Sequence, residues 1–310
     1  MAYRILSLDG GGLRGLITAK ILERLNEEES IAGWLDSVDL VAGTSTGGII
    51  ALGLSAGKSP NDLANLYMEK GRRIFDDSVF DNVRDLGKTI GADYSNQNLK
   101  SELRDFFGGI KLNELQKKVV IPAFDLDNKS VSIDRTWKPK IFHNFSGVDS
   151  DGNSLASDVA LYTSSAPTYF PSADGFIDGG VYANNPSIVA LAQAVSSRNN
   201  IEEKVHLDDI VMLSIGTGVS FQYIKGDTLD WGYSQWAKPL LDVLMDGVAG
   251  VSDYQAAQFL GNRYCREQVF FGPGEVIKLD AVDKLGRMND IACEHNIEKT
   301  IKWILNYWLV

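Results

Sequence analysis

The sequence predicts an α/β protein whose mostly parallel sheet is covered by helices on both faces. Three observations support this: short apolar runs that end in glycine, apolar residues at helical spacing directly after them, and tight connections between the two patterns. Strands and helices that alternate through short turns are typical of parallel sheets buried on both sides. No repeat, low-complexity tract or Pro/Gly/Ser linker divides the 310 residues, so we expect a single domain over residues 1–310.

The N-terminal quarter of the chain shows this alternation most clearly. The apolar run at residues 4–8 ends at three glycines, and apolar residues then recur every four positions from Leu13 to Leu25. Ser59-Pro60 is typical of a helix start, because serine caps the first turn and proline is tolerated there. The predicted strands are 4–8 and 38–42, and the predicted helices are 13–29, 49–54 and 59–74.

Beyond residue 74 the pattern is less regular. Residues 75–98 are polar and poorly periodic, which predicts a long surface excursion. Three short apolar runs between residues 119 and 145 predict an antiparallel meander. The predicted strands are 119–126, 131–134, 140–145, 175–178 and 210–215, and the predicted helices are 99–107, 157–164, 187–196, 234–248 and 289–305. The part after residue 218 is therefore expected to be mostly helical.

Charge and cysteine content exclude several classes of function. With 30 Lys and Arg against 41 Asp and Glu, the net charge is −11, which disfavours nucleic-acid binding and purely electrostatic attachment to anionic lipid. The two cysteines, Cys265 and Cys293, cannot supply a disulfide framework or a four-cysteine zinc site. Because two thiols fit a reducing compartment and residues 1–9 do not form a signal peptide, we expect a cytoplasmic protein.

A candidate nucleophile lies in the turn between the second strand and the next helix. Gly43-Thr44-Ser45-Thr46-Gly47 fits the pattern G-x-S-x-G in the strand–helix context that gives the pattern a chemical meaning. The tight turn would hold Ser45 in a strained backbone conformation, and Gly43 and Gly47 avoid the clashes that side chains would cause. The hydroxyl would stand at a helix N-terminus, whose positive end stabilises developing negative charge. A glycine-rich turn without chemistry is the alternative interpretation.

A second glycine-rich turn follows the first strand. Gly10, Gly11 and Gly12 let backbone N–H groups point into one concavity, which can hold a phosphate or the oxyanion of a tetrahedral acyl intermediate. The spacing Gly10-x-Gly12-x-x-Gly15 also fits a dinucleotide-binding fingerprint. That alternative is disfavoured, because Asp9 at the mouth of the loop would repel a pyrophosphate and no acid that could hold a ribose ends the second strand.

A serine nucleophile needs a general base, and a catalytic triad is one arrangement to consider. The chain order Ser45, Asp178 and His295 matches that of α/β-hydrolase triads. However, His295 lies in a helical pattern and Ser45 follows only one earlier strand, so the triad is disfavoured. All three histidines, which include His143 and His206, are expected at surface or packing positions.

Asp178 is the better-placed candidate base. It ends a predicted strand and precedes Gly179 and Gly180, whose lack of side chains allows a close approach to Ser45. Its apolar neighbours Phe176-Ile177 would raise the pKa of the carboxyl and make it a more competent base. An ordinary Asp-Gly turn is the alternative interpretation.

Taken together, these segments resemble the patatin-like phospholipase family. Their order and spacing match those of the family, and so does the block Ser-Ser-Ala-Pro-Thr-Tyr-Phe-Pro at residues 164–171, ahead of the aspartate. The likeness covers residues 4 to about 218, whereas the C-terminal third matches no motif.

The resemblance implies a three-layer α/β/α sandwich with a central, mostly parallel sheet. It also implies hydrolysis of fatty-acyl esters of phospholipids or other lipids, with peripheral membrane contact and with no metal or other cofactor. By the resemblance, Ser45 is the nucleophile and Asp178 the base of a catalytic dyad. The amides of the glycine loop at residues 10–12 form the oxyanion hole, and Arg14 supports that loop.

The resemblance leaves other functions open. An effector turned on by a cyclic nucleotide would use the C-terminal third as a sensing pocket or an oligomer interface, so a small-molecule activator and a homo-oligomer stay open. An acyltransferase would pass the acyl group from the serine to an alcohol or thiol instead of water. A storage or scaffold protein with a vestigial site is disfavoured by the intact set of motif residues.

An apolar stripe in the C-terminal third has two interpretations. Its members fall on one face of a predicted helix and are Tyr233, Trp236, Leu240, Leu241, Leu244 and Val248. Such a stripe is more often part of a core than of a lid that contacts lipid, so we expect it to be buried.

Overall fold

The computed structural model describes residues 2–75, 92–200, 204–236 and 239–310. Its strands are β1 (Tyr3–Leu8), β2 (Leu40–Gly43), β3 (Lys118–Asp125), β4 (Lys138–His143), β5 (Phe176–Asp178), β6 (Ile210–Ile215) and β7 (Tyr264–Glu267). Its α-helices are α1 (Gly15–Glu27), α2 (Thr46–Ser55), α3 (Pro60–Ile74), α4 (Asn96–Phe107), α5 (Ala156–Thr163), α6 (Gly180–Ala183), α7 (Ser187–Ala194), α8 (Tyr233–Trp236), α9 (Pro239–Leu260), α10 (Leu285–Glu294) and α11 (Glu298–Trp303). Of the predicted surface excursion at 75–98, residues 76–91 lie outside the described ranges.

The strands form one sheet in the order β4-β3-β2-β1-β6-β7, with β5 also paired to β3. The four central pairings are parallel, whereas β4 and β5 run antiparallel to β3. Leu8 lies opposite both Gly43 and Ile215, so β1, β2 and β6 end in one row. The loops that follow these strands therefore meet at the same edge of the sheet, which is where ligands bind in open α/β sheets.

Two apolar clusters fill the spaces on the two faces of the sheet. Leu6 and Val41 belong to the larger cluster, which also contains residues of α1 to α5 and α10. Ile5 and Leu40, one position earlier in each strand, belong to the smaller cluster with residues of α7 and the end of α9. This alternation confirms the predicted α/β/α sandwich, because neighbouring side chains of a strand point to opposite faces.

The predicted strand at 131–134 is wrong. These residues lie in the connection between β3 and β4, where Val131 and Ile133 are fully exposed. The hydroxyls of Ser130 and Ser132 donate hydrogen bonds to Asp134, so local side-chain contacts stabilise a turn in place of a strand.

The C-terminal third also differs from the prediction in its detail. β7 was not predicted, because its four residues alternate buried and half-buried positions that include Arg266 and Glu267. The predicted helix 234–248 is divided into α8 and the longer α9, and the predicted helix 289–305 is divided into α10 and α11. No helix in the described ranges combines the length and the apolarity needed to cross a bilayer.

Candidate active site

Ser45 lies in the turn between β2 and α2. Its backbone has φ 55° and ψ −123°, a conformation that non-glycine residues rarely adopt and that costs about 1–3 kcal/mol. A Cβ at Gly43 would lie 2.0 Å from the Gly47 carbonyl oxygen, and a Cβ at Gly47 would lie 2.2 Å from the Leu8 carbonyl oxygen. Both flanking positions must therefore lack side chains, which is the steric condition that the sequence pattern implied.

Hydrogen bonds from the surrounding elements hold this strained turn in place. The Ser45 amide donates to Thr163 Oγ1 at 2.9 Å, and that hydroxyl donates to the Pro122 carbonyl oxygen at 2.5 Å. Thr44 Oγ1 donates to the Ala183 carbonyl oxygen at 2.6 Å. The turn is thus connected to β3, α5 and α6. Thr163 belongs to no recognisable motif of the sequence, although it directly precedes the block at 164–171.

Asp178 is the last residue of β5 and lies opposite Ala123 of β3, near the edge of the sheet that carries Ser45. Its side chain is buried, and the Gly180 amide donates to Asp178 Oδ1 at 2.7 Å. Burial raises the pKa of the carboxyl to about 7, although hydrogen bonds from the Ser45 hydroxyl and the Gly180 amide lower it. A carboxyl with this pKa can both accept and release a proton near neutral pH.

The contact between the two side chains is loose. The Ser45 hydroxyl lowers the pKa of Asp178 as a hydrogen-bond donor. Nevertheless, Asp178 Oδ2 is buried without a partner of normal hydrogen-bond length and angle among the described residues. Catalytic hydrogen bonds are often long before substrate binds and tighten in the complex. The structure therefore makes Ser45 and Asp178 neighbours, with room for the contact to shorten.

Close packing requires the first of the two glycines after Asp178. A Cβ at Gly179 would lie 2.3 Å from the Pro122 carbonyl oxygen, so a side chain there would push the turn away from β3 and Asp178 with it. A Cβ at Gly180 would lie 2.8 Å from the terminal methyl of Met245, a flexible side chain that could give way.

None of the three histidines takes part in this arrangement. His295 Nε2 forms a hydrogen bond with Glu267 Oε1 at 2.6 Å. His143 ends β4, and His206 is exposed shortly before β6. The structure therefore does not bring a histidine to Ser45, in agreement with the expectation that a triad is absent.

The glycine loop offers two free amides where three were predicted. The Gly10 amide donates to the Asn184 carbonyl oxygen at 2.9 Å, which removes it from the predicted set. The Gly11 and Gly12 amides have no hydrogen-bond partner among the described residues, and both glycines line the cavity that contains Ser45. Gly12 has φ 57°, and a Cβ there would lie 2.4 Å from the Leu279 carbonyl oxygen. Two N–H groups are therefore available to a developing oxyanion.

A buried ion pair supports the base of this loop. Both carboxylate oxygens of Asp9 accept hydrogen bonds from Arg266 of β7, at 2.9 Å and 2.5 Å. Arg266 lies 257 positions further along the chain, so no local pattern could reveal it. Arg14, the predicted support, instead has a buried Nε without a hydrogen-bond partner among the described residues.

Ser45, Asp178, Gly11 and Gly12 line one cavity of about 60 Å³. Most of its other walls are apolar, and these include Ile49, Leu99, Phe170, Met245 and Leu279. The volume is well below the roughly 300 Å³ at which small-molecule sites begin, so a long acyl chain needs one wall to move. Met245 is the contribution of α9 to this wall.

The apolar stripe of the C-terminal third is not part of the core. Its members are exposed (Tyr233, Leu240, Leu244) or half-buried (Trp236, Leu241, Val248). The prediction of a buried stripe is wrong, because α9 packs against α6, α7, β6 and β7 through another side. Its buried residues are Met245, Ala256 and Leu260, and none of them belongs to the stripe.

The chain is similar to known proteins over most of its length. A family model described as patatin-like phospholipase matches residues 6–191, which include both Ser45 and Asp178. The cGAMP-activated phospholipase of Pseudomonas aeruginosa is 31% identical over 290 residues, covering 91% of this chain and 83% of the relative. Patatin-like protein 4 of Arabidopsis thaliana is 28% identical over 337 residues, covering 91% and 82%. Patatin-like protein 1 of Oryza sativa subsp. indica is 30% identical over 296 residues, covering 82% and 69%. The chain therefore belongs to the patatin-like phospholipase family.

Proposed function

We propose that the protein hydrolyses fatty-acyl esters of phospholipids or other lipids through Ser45 and Asp178. One observation carries the proposal: a strained serine at a helix N-terminus, a buried carboxyl and two free amides line the same cavity. The apolar walls of that cavity suit a fatty-acyl chain, because burying apolar surface there is favourable.

In the first half of the proposed reaction, Asp178 takes the proton of the Ser45 hydroxyl as Oγ attacks the ester carbonyl carbon. The resulting oxyanion is held by the amides of Gly11 and Gly12 at the positive end of α2. The tetrahedral intermediate then collapses and its bond to the alkoxy oxygen breaks. Asp178 returns the proton to that oxygen, so the alcohol or lysolipid leaves and an acyl-serine remains.

The second half repeats the same steps with water. Asp178 takes a proton from a water molecule, whose oxygen attacks the acyl carbon, and the same two amides hold the second oxyanion. Collapse breaks the bond to Ser45 Oγ, which regains its proton from Asp178, and the fatty acid is released. The carboxyl thus serves alternately as base and acid, for which a pKa of about 7 is well suited.

The pH dependence of turnover tests the assignment of the base. Because burial raises the pKa of Asp178 to about 7, only part of the carboxyl is ionised near neutral pH, and only that part can accept the serine proton. We expect kcat/KM for a soluble short-chain ester to rise about tenfold per pH unit below about pH 7 and to level off above it. A profile that is flat between pH 5 and 8 contradicts the assignment.

A second candidate is a lipid hydrolase that a cyclic dinucleotide switches on. The named activity of the Pseudomonas aeruginosa relative, which matches 91% of this chain, favours it. A polar groove of about 470 Å³ also lies between β4 and the end of α7, and its lining includes Lys138, Lys140 and Arg198. Lys140 and Arg198 form ion pairs with Asp151 and Asp149 of the same lining, so a phosphodiester would compete with these carboxylates for the two cations. Tyr182 of α6 donates to the Lys140 carbonyl oxygen at 3.0 Å, which connects the groove to the helix that follows Asp178.

Hydrolysis of a panel of phospholipids and neutral lipids, with identification of the products, tests both candidates when it is run with and without cGAMP. A constitutive hydrolase releases fatty acid in both conditions. A switched enzyme gains at least about tenfold on addition of cGAMP and loses this gain, but not its basal rate, in Lys140→Gln/Arg198→Gln. Arg135→Gln, which removes an exposed cation outside the groove, is the matched control. Absence of fatty-acid release in both conditions rejects both candidates.

A further inference from the structure

The helix α9 carries its apolar side chains towards solvent. Only Met245, Ala256 and Leu260 of its 22 residues are buried. Six large apolar side chains are 44–66% exposed, and these are Leu240, Val243, Leu244, Val251, Tyr254 and Phe259. At 3.6 residues per turn, the first five fall within an arc of about 100°, and Phe259 lies about 60° beyond it. We refer to these five residues as the outer face of α9.

The acidic residues of α9 lie on the opposite side, whereas the exposed Gln258 falls within the outer face. At the same helical spacing, Asp242, Asp246 and Asp253 fall on the side of the helix that also carries Met245. Asp253 accepts a hydrogen bond from Tyr264 at 2.7 Å, and Asp242 and Asp246 raise the pKa of Arg14, which burial lowers. A surface helix normally turns its charges to water and its apolar residues to the protein. In α9 the large apolar side chains face solvent, and Asp242 and Asp246 are exposed as well. The outer face of α9 is therefore suited to an apolar environment.

The inner side of the same helix reaches the catalytic cavity. Met245 lines that cavity together with Ser45 and Asp178, and its terminal methyl lies against Gly180. A displacement of α9 would move Met245 and so change the volume of this small cavity. Whatever contacts the outer face of α9 is therefore separated from the cavity wall formed by Met245 by about one helix diameter, roughly 10 Å.

The charge of α9 indicates which kind of lipid surface its outer face can contact. α9 contains three aspartates and no lysine or arginine, and the whole chain has a net charge of −11. Anionic lipid headgroups would be repelled, whereas a zwitterionic lipid surface admits Leu and Val side chains and an interfacial tyrosine without this penalty. A second copy of the chain is the other apolar partner to test.

We propose that the outer face of α9 docks on zwitterionic lipid and thereby brings the catalytic cavity, on the inner side of the same helix, close to the bilayer. This inference rests on the proposed function, since a lipid substrate is what makes a bilayer the natural partner of a surface next to Ser45. It adds to that function the surface that makes the contact and the class of lipid that it contacts.

The test is co-sedimentation with vesicles, carried out in a Ser45→Ala background so that the lipid stays intact. We expect this protein to bind vesicles of phosphatidylcholine, with no gain when phosphatidylglycerol is added and no loss in high salt. Val243→Gln/Leu244→Gln should reduce the partition coefficient at least about tenfold. Val131→Gln/Ile133→Gln, which removes two fully exposed apolar side chains from the β3–β4 connection, is the matched control and should bind normally.

Three results overturn the proposal. The first is unchanged binding of the α9 variant, or an equal loss in the control variant. The second is binding that requires phosphatidylglycerol and disappears in salt. The third is a dimer that the α9 substitutions convert to monomers while vesicle binding is absent, which assigns the face to a second copy.

If the proposed hydrolase function is wrong, the experiments give a different result from the three above. With Ser45 present, the α9 variant should hydrolyse a soluble short-chain ester at the unsubstituted rate and hydrolyse vesicle lipid at least about tenfold more slowly. If neither protein hydrolyses any ester while both the vesicle binding and its dependence on α9 persist, the hydrolase assignment fails and the docking surface stands.

Discussion

Replacing Ser45 by alanine or Asp178 by asparagine is expected to lower ester hydrolysis by about 10⁴-fold or more. Alanine removes the attacking oxygen, and asparagine keeps the shape of the side chain but cannot take the proton. The loss should appear in kcat on both a soluble short-chain ester and phosphatidylcholine, because each chemical step depends on both groups.

Two substitutions nearby serve as controls for this result. Ser55→Ala removes a buried hydroxyl at the other end of α2, and Asp174→Asn neutralises a carboxylate just before β5 that accepts a hydrogen bond from Tyr162. Both should retain near-normal turnover. Substantial activity in Ser45→Ala or Asp178→Asn, with folding confirmed by circular dichroism, would show that another residue is the nucleophile or the base.

Asp178→Asn is also expected to stabilise the fold at alkaline pH. The pKa of the carboxyl is about 7 in the folded protein against 3.8 in the unfolded chain, so the folded state binds the proton more tightly. Below about pH 4 the carboxyl is protonated in both states, so its burial does not lower the free energy of unfolding. As the pH rises from about 4 to about 7, the carboxyl ionises in the unfolded chain but not in the folded protein, and the free energy of unfolding falls. A difference of about three pKa units corresponds to about 4 kcal/mol, which asparagine should recover above pH 7 because it carries no charge.

Urea unfolding of both proteins at pH 4.5, 6 and 8.5 measures this effect. The gain in the free energy of unfolding should be smallest at pH 4.5 and largest at pH 8.5. Ser45→Ala, which changes the same site without removing a titratable group, should show no comparable pH-dependent gain. If Asp178→Asn is equally stable or less stable than the unsubstituted protein at every pH, the carboxyl is not held in the desolvated state that its proposed role requires.

Local patterns were sufficient to predict most of the sheet and helix order. The apolar runs at 4–8 and 38–42 and the helix that starts near Leu13 were predicted because side-chain periodicity is a property of neighbouring residues. The same rule failed at 131–134, where two apolar residues alternate with polar ones but lie in an exposed turn. It also failed at β7, because a strand of four residues that includes Arg266 and Glu267 is too short and too polar to give a periodic signal.

The candidate site likewise has residues that local patterns predicted and residues that they missed. Ser45 and its flanking glycines, and Asp178 before two glycines, were recognisable because close backbone approaches exclude side chains at fixed positions. Thr163, Asn184 and Arg266, which contact the turn and the glycine loop, were missed because each is brought in from a distant segment and belongs to no local pattern.

The sequence by itself determined where the chain must turn tightly and which small residues make each turn feasible, because steric exclusion acts between atoms a few bonds or one strand apart. Only the tertiary structure decided which amides of the glycine loop stay free, why the Asp178 carboxyl holds its proton near neutral pH, and that α9 presents Leu, Val and Tyr to solvent. These properties depend on desolvation and on partners from distant segments, and such quantities are defined only after the layers have packed.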